Sequence, residues 1–249
     1  MAEPHADPVR ESRRLIDAAT SKGVTVRAIG GVAVQLRSPA DGPILPREIR
    51  DIDLVTRRGT RTAVTNLLAS AGYLPDEMFN ALHGARRLLF YDEVNQRKLD
   101  VFVGEFVMCH PIPIAERLDR HPLTVPLAEL LLTKLQIVEL TERDQRDIYN
   151  LVYHHEIVSF EGEGIEADYV AEVCARDWGL WRTASMTIER SSAHVGDYSL
   201  GPEAAATIAG RLKAIRDTME GAPKSARWKL RSRVGERMRW YEEPEENHA

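Results

Sequence analysis

The stretch from residue 28 to residue 56 places a diglycine in one apolar run and, after a long polar gap, two aspartates separated by one isoleucine in a second apolar run. Gly30 and Gly31 end a β-type run, and Asp51 and Asp53 flank Ile52 at the start of a second run. A carboxylate on a buried face is costly unless a proton, a cation or hydrogen bonds compensate for it. The fold of this chain must therefore bring some compensating group to both acids.

The apolar periodicity predicts an alternation of helices and strands in the first part of the chain. The predicted elements are a helix over 9–22, a strand over 24–29, a helix beginning at the diglycine, a strand over 51–56, a helix over 60–72 and strands over 85–93 and 96–104. The last two runs are separated only by Val94 and Asn95, which favours an antiparallel pair. The sheet is therefore predicted to be mixed.

The character of the sequence changes from about residue 111. A linker punctuated by prolines covers 110–122, and helical periodicity then dominates. The clearest predicted helices cover 126–140, 143–158 and 201–221. We therefore predict an α+β fold, with a mixed β-sheet flanked by helices. A catalytic domain would span 1–115, and a helical domain would span 116–249.

Composition limits the cellular setting more than the function. The 249 residues carry a formal charge of −5, include only two cysteines, Cys109 and Cys174, and contain no apolar stretch long enough for a membrane span. We expect a cytoplasmic protein with no membrane partner. The charge is uneven, because residues 211–240 hold ten Lys or Arg against three acids. That basic region favours a polyanionic partner such as RNA.

The aspartates suggest a magnesium site. In a strand, residues i and i+2 project to one face, so Asp51 and Asp53 would share a site and repel each other unless a cation lies between them. Asp100 interrupts the run over 96–104 in the same way. Three carboxylates on strands fit two Mg²⁺ ions that assist phosphoryl transfer. Gly30 and Gly31 would let the backbone N–H groups approach a phosphate.

This combination of motifs resembles the polymerase-β-type nucleotidyltransferase superfamily, whose signature is a strand, G-[GS] and a helix, then D-x-[DE] on the next strand. The gap of 19 residues between Gly31 and Asp51 is closest to the AbiEii-like and MenT-like toxins. That branch also carries a lysine-bearing helix and an R-x-K-D-x-x-D-L type motif. Their counterparts here are Lys134 and Asp144, although Thr141 replaces the motif's first arginine. The resemblance covers residues 24–152.

The resemblance implies transfer of a nucleoside monophosphate from an NTP to an acceptor hydroxyl, in a cleft between the two domains. Asp51 and Asp53 would hold the metal ions, Asp100 would also activate the acceptor, and Lys134 and Asp144 would contact the nucleotide. The MenT-like branch further implies the 3′ end of a tRNA as acceptor, a toxin function and an antitoxin protein as partner.

Other interpretations remain open from the sequence. The Lys134 ammonium could extend to the surface from an apolar helix, and Asp144 could serve only as a helix cap. The basic region could be a solvated helix or an RNA track on which Trp228, Trp240 or Tyr241 stacks a base. The acceptor could be a small hydroxylated molecule such as an antibiotic. The protein could also be a catalytically silent nucleotide-binding regulatory module.

Overall fold

The computed structural model describes residues 3–159 and 162–243. The chain forms two compact units. The first contains residues up to 42, 47–106 and 113–126, and the second contains 43–46, 107–112 and the residues from 127 onward. The chain therefore passes between the units several times, whereas the sequence suggested one division at 115.

A five-stranded mixed sheet forms the centre of the first unit, with the strand order β1-β2-β5-β4-β3. Its strands are β1 (Val26–Ile29), β2 (Ile52–Thr56), β3 (Leu74–Pro75), β4 (Arg87–Asp92) and β5 (Arg97–Val103). β2 and β5 are parallel, and the other neighbouring strands are antiparallel. The predicted mixed sheet is confirmed. β5 is the best-buried strand, since every residue in it except Lys98 is buried.

Four helices accompany the sheet: α1 (Pro8–Ser21), α2 (Gly30–Arg37), α3 (Arg61–Ser70) and α4 (Glu77–His83). Leu15, Ile16 and Ala19 recur at helical spacing and bury one face of α1. α1 packs on β1 and α2, while α2 also packs on β2. Their apolar contacts fix α2 above the two strands that carry the sequence motifs. The sequence analysis missed β3 and α4, which are both short.

The segment predicted as a linker is folded for most of its length. It contains β7 (Pro111–Pro113), preceded by β6 (Glu105–Val107), and a 3₁₀ turn at Ala115–Arg120. Residues 123–125 then extend along β1, because the Ala28 N–H donates to the Leu123 carbonyl at 2.8 Å and the Val125 N–H donates to the Ala28 carbonyl at 3.0 Å. Prolines are tolerated at a sheet edge, which explains why this sequence has the composition of a linker.

The second unit is mostly helical. Its helices are α5 (Leu127–Leu135), α6 (Glu142–His154), α7 (Ala167–Arg176), α8 (Trp178–His194), α9 (Pro202–Gly221) and α10 (Ala226–Val234), with a parallel pair of short strands, β8 (Ile157–Val158) and β9 (Ile165–Glu166). α9 packs against α6, α7 and α8. No helix of the described residues is long and apolar enough to cross a bilayer.

The helix predicted over 126–140 ends earlier than its periodicity suggested. All nine residues of α5 are buried, and the helix stops at Leu135. The next side chain, Gln136, accepts a hydrogen bond from the His110 N–H at 2.7 Å through Oε1. α6 likewise stops at His154, because residues 157–158 form β8 instead of a further helical turn. Tertiary contacts therefore end both helices before their apolar patterns do.

Candidate functional site

Gly30 begins α2 directly after β1, and its backbone conformation disfavours any residue with a side chain at this position. Its φ is +67°, which side-chain-bearing residues rarely adopt. A Cβ at this position would lie 2.3 Å from Oδ2 of Asp53, far inside contact distance. The half-buried Asp53 carboxylate therefore lies against the start of α2, and only glycine leaves room for it. The sequence predicted this glycine turn and the strand that carries Asp53.

Gly31 makes room for an arginine that the sequence analysis missed. A Cβ on Gly31 would lie 2.0 Å from an Nη atom of Arg47, and Arg47 also donates to the Glu48 carbonyl at 3.0 Å. Arg47 comes from the irregular segment between α2 and β2, where no periodicity indicates which side chain turns inward. Its guanidinium at the start of α2 provides charge and hydrogen-bond donors suited to a phosphate.

The two strand aspartates lie side by side. Asp53 of β2 is in direct register with Asp100 of the parallel strand β5, so both side chains project from the same face of the sheet. Asp51 lies one residue before β2 and is exposed. The structure therefore brings Gly30, Asp53 and Asp100 together, with Asp51 at the open end of the strand.

Asp100 is buried and has an arginine partner that the sequence did not reveal. Arg87 Nε donates to Asp100 Oδ1 at 2.7 Å, across the antiparallel pair of β4 and β5. The guanidinium of Arg87 lies 5.3 Å from the ring centroid of Phe102 and 5.7 Å from that of Phe79. These contacts fix the arginine, and through it one oxygen of Asp100. The carboxylate is therefore held in one orientation.

The donor set has the chemistry that magnesium prefers, because all three predicted ligands are carboxylates. Within residues 3–159 and 162–243, however, no group of three His, Cys, Asp or Glu side chains has the arrangement of a metal site. Asp53 and Asp100 are the two that lie in register. A site with three aspartate ligands at Asp51, Asp53 and Asp100 stays a prediction.

Lys134 is in the second unit and is a buried partner of two carboxylates. Its Nζ lies 3.0 Å from Asp144 Oδ1 and 2.9 Å from Asp147 Oδ2. Its side chain is 11% exposed, so its ammonium does not extend to the surface as one interpretation of the sequence suggested. The three residues form a cluster that we call the lysine triad. The triad joins α5 to the first two turns of α6.

Asp144 also caps α6. Thr141 is the N-cap residue, the Asp144 N–H donates to Thr141 Oγ1 at 3.3 Å, and the Thr141 N–H donates to Asp144 Oδ2 at 3.3 Å. This reciprocal pair is a capping box. The structure therefore gives Asp144 a helix-capping role and an ion pair. Threonine at position 141 is a good N-cap.

The triad keeps its members charged in spite of burial. Burial acts to lower the pKa of Lys134, but the charges of Asp147 and Asp144 outweigh it and hold that pKa above its ordinary value. Burial acts to raise the pKa of Asp144, but the ammonium of Lys134 and the hydrogen bonds from Thr141 outweigh it and hold that pKa below its ordinary value. Mutual neutralisation is the physical cause in both cases.

The basic region at residues 211–240 contains fewer available cations than its sequence suggested. Six of its ten Lys and Arg side chains donate to carboxylates or carbonyls: Arg211, Lys213, Arg216, Lys224, Arg231 and Arg239. The other four have no hydrogen bond or ion pair to the part of the chain that the structure describes: Arg227, Lys229, Arg233 and Arg237. All four are exposed and lie in α10 or the turn that follows it.

Comparisons with known proteins do not assign the chain to a family. No protein-family model matches the sequence, and no curated protein matches it. A solved structure titled a tRNA-processing enzyme, in an apo form, is 13% identical to this chain, with a TM-score of 0.29. The match covers 90% of this chain and 63% of that one, so it spans less than two thirds of that enzyme. At this TM-score the likeness supports no conclusion about fold family or function.

Proposed function

We propose that the protein is a Mg²⁺-dependent nucleotidyltransferase with the nucleotidyltransferase fold, which moves a nucleoside monophosphate from an NTP to an acceptor hydroxyl. One observation carries the proposal. The carboxylate of Asp53 lies against Gly30 at the start of α2 and in register with Asp100. This arrangement places two carboxylates beside a helix start that is suited to phosphate, as a phosphoryl-transfer site requires.

Asp53, with Asp51 and Asp100, would hold the magnesium. The residues fit the ion, because every donor is a carboxylate oxygen and because the bare backbone of Gly30 leaves Asp53 Oδ2 its position. When bound, the metal neutralises charge on the phosphates and polarises the phosphorus under attack. It would also offset the repulsion between two carboxylates in register. The proposal includes a second ion, as in two-metal phosphoryl transfer.

The chain's own groups would perform the remaining tasks. The first N–H groups of α2 and the guanidinium of Arg47 would bind the phosphates of the NTP. Asp100 would receive the proton of the acceptor hydroxyl while that oxygen forms its bond to the α-phosphorus and pyrophosphate leaves. Arg87 holds Asp100 Oδ1, and no described residue donates a hydrogen bond to Oδ2. Oδ2 is therefore the oxygen left for the metal ion or for the proton.

The acceptor we favour is an RNA end, and the tRNA 3′ end is the specific candidate. Support comes from the four exposed cations of α10 and its following turn, which have no partner in the described part of the chain. Such a cluster gains more from a polyanion than from a small molecule. A role as the toxin of a toxin–antitoxin pair belongs to the same proposal and requires an antitoxin partner.

The test is incubation of the protein with each labelled NTP, Mg²⁺ and total RNA. We expect one NTP to label RNA, and Asp53→Asn to abolish that transfer while the protein stays folded by circular dichroism. Asp217→Asn is the matched control, because Asp217 is an exposed aspartate paired only with Lys213 among the described residues. Equal labelling by the wild type and Asp53→Asn would refute the proposal. Labelling of a small hydroxylated compound instead of RNA would change the acceptor.

A second candidate is a catalytically silent nucleotide-binding module. The ion pair between Arg87 and Asp100 favours it, because an arginine competes with a metal ion for the same carboxylate. A silent module would bind an NTP without labelling any acceptor over hours. In a silent module, Asp100→Asn would leave the Kd for the NTP unchanged, and there would be no turnover to lose. In an enzyme, Asp100→Asn would abolish turnover.

A further inference from the structure

The second unit contains a cavity of about 540 Å³ that the proposed reaction does not use. Its walls are the junction of α7 and α8, the first half of α10, residues 109–111 and residues 239–242. Pockets for small molecules and cofactors have volumes of about 300 to 1,000 Å³. The cavity is thus large enough for one nucleotide.

Aromatic rings line much of this cavity. Trp178, Trp228, Trp240 and Tyr241 all contribute to it. The rings of Trp178 and Trp240 meet edge to face with centroids 6.3 Å apart, and those of Trp240 and Tyr241 meet similarly at 5.4 Å. Faces of indole and phenol rings are the surfaces on which unpaired bases stack.

The position of Trp240 is fixed by hydrogen bonds and close packing. Trp240 Nε1 donates to Thr183 Oγ1 at 3.1 Å, and the same hydroxyl is 2.8 Å from Nε2 of His110. Gly179 allows the approach, because a Cβ there would lie 2.4 Å from the Trp240 carbonyl oxygen. This part of the wall is therefore formed before any ligand arrives, which lowers the entropy cost of binding.

Four arginines surround the aromatic rings: Arg176, Arg227, Arg231 and Arg239. The guanidinium of Arg231 lies 4.6 Å from the Trp178 ring centroid and donates to the Gly235 and Met238 carbonyls, so it is part of the wall. Arg227 is exposed and has no hydrogen bond or ion pair to the residues the structure describes.

Two carboxylates also line the cavity, Asp177 and Glu242. Asp177 accepts the Leu180 N–H at 2.8 Å as the N-cap of α8. Arg176 is paired with Glu172 and Arg239 with Glu243, so among the described residues Arg227 is the lining arginine that keeps its donors for an anion.

We propose that this cavity binds one unstacked nucleotide, with its base on the aromatic rings and its phosphate at Arg227. The combination of stacking faces and a guanidinium with no partner among the described residues matches a nucleotide better than either feature alone. An acidic peptide would use the charge but not the rings. The nucleotide could be free or part of a single-stranded RNA. In the second case the inference deepens the proposed function, on which it then rests, by naming where the acceptor strand docks.

The experiment measures binding by wild-type protein in EDTA, so that no metal-dependent step intervenes. Isothermal titration calorimetry is run with 5′-AMP, adenosine and inorganic phosphate, and fluorescence anisotropy with a labelled ten-nucleotide oligoadenylate. We expect Arg227→Gln to raise the Kd of AMP about tenfold, as loss of a charge-assisted hydrogen bond predicts. Arg233→Gln is the matched control, because it removes the same exposed charge from α10 outside the cavity lining. It should leave the Kd of AMP within about twofold.

A further variant tests the stacking half of the site. Tyr241→Leu should weaken binding of AMP and the oligonucleotide but not of inorganic phosphate. Tight binding of AMP alone would identify a free nucleotide as the ligand, and binding of both would identify a strand. Equal effects of Arg227→Gln and Arg233→Gln, AMP binding no tighter than phosphate, or equal competition by polyglutamate would each overturn the proposal. Asp53→Asn should bind AMP in the cavity normally, so the failure of catalysis and of this site are distinguishable.

Discussion

Asp100 in the first unit and Asp144 in the second are both carboxylates beside a cation, yet they differ in what remains for a ligand. Asp100 has Arg87 on one oxygen, and its other oxygen accepts no hydrogen bond from a described residue. Asp144 uses one oxygen for Lys134 and the other for Thr141. The first carboxylate keeps coordination capacity, and the second is saturated.

The difference indicates which charges serve chemistry and which serve the fold. A saturated buried cluster holds α5 and α6 in place, and its one ammonium lies within ion-pair distance of both carboxylates. A carboxylate that has one oxygen without a hydrogen bond, beside a second carboxylate, is repelled by that neighbour. A bound metal ion or a proton can relieve this repulsion. We therefore expect substitutions in the lysine triad to change mainly the free energy of unfolding. Substitutions of Asp53 and Asp100 should change mainly ligand binding.

The largest expected effect comes from Lys134→Met, which keeps the length of the side chain and removes its charge. Two buried carboxylates would then lack their shared cation, and the free energy of unfolding should fall by about 3–5 kcal/mol. Urea denaturation followed by circular dichroism measures it. The control is Lys213→Met, since Lys213 is 73% exposed and paired with Asp217. Its cost should stay below about 1 kcal/mol.

A loss in Lys134→Met no larger than in Lys213→Met would contradict the description of the triad as a structural cluster. A near-native stability combined with a raised KM for NTP would instead restore the predicted role of Lys134 at the nucleotide.

Gly30→Ala should have the next largest effect, because it introduces both an unfavourable φ and a contact with Asp53. Positive φ costs a side-chain-bearing residue about 1–2 kcal/mol, and the 2.3 Å contact adds to that. Gly42→Ala separates the two terms, because Gly42 has φ +97° and nothing within 4 Å of an added Cβ. Gly30→Ala should be the more destabilising in urea denaturation. In the Asp53→Ala background, the extra cost of Gly30→Ala should shrink toward that of Gly42→Ala.

How far the sequence predicts this structure depends on whether a feature repeats. The strands that carry Asp53 and Asp100, and the helix start at Gly30, follow from apolar alternation and a glycine at a turn. The same patterns predicted the mixed sheet. The short elements β3, of two residues, and α4, of seven residues, were missed.

The arginines near Gly31 and Asp100 and the partners of Lys134 could not be predicted, because they depend on tertiary contacts. Arg47 comes from an irregular segment, and Arg87 meets Asp100 only through the register of β4 and β5. Lys134 was predicted on a helix, but its burial between Asp144 and Asp147 depends on how α5 packs on α6. Periodicity identifies the face of a helix and gives no information about which side chain opposes it.

Magnesium should distinguish the pair Asp53 and Asp100 from the lysine triad, by a smaller effect on thermal stability. If Asp53 contributes to a metal site, Mg²⁺ at ten times its Kd should stabilise the wild type by about 1.4 kcal/mol through binding to the native state. Differential scanning fluorimetry with and without Mg²⁺ measures the shift in Tm. Asp53→Asn should lose the shift and Asp144→Asn should retain it. A shift that survives in Asp53→Asn would place the metal elsewhere.

The smallest expected effect is the pH dependence of Asp144, obtained as the difference in free energy of unfolding between the wild type and Asp144→Asn. The pKa of Asp144 is held below its ordinary value of 3.8 by Lys134 and Thr141 against the effect of burial. A depressed carboxylate pKa stabilises the native state above the unfolded pKa, and that contribution disappears as pH falls through the folded pKa. The variant should therefore be less stable by about 1 kcal/mol at neutral pH, the typical net contribution of one hydrogen bond, and the difference should close below pH 3.8. Burial lowers the pKa of His110 from its ordinary value of 6.5 to about 4. As the pH falls from 6.5 to about 4, the free energy of unfolding of both proteins decreases alike, so this effect cancels in the difference. Urea midpoints from pH 3 to 8 measure the curve. A constant offset for Asp144→Asn would mean that Asp144 acts as a helix cap without an electrostatic contribution from Lys134.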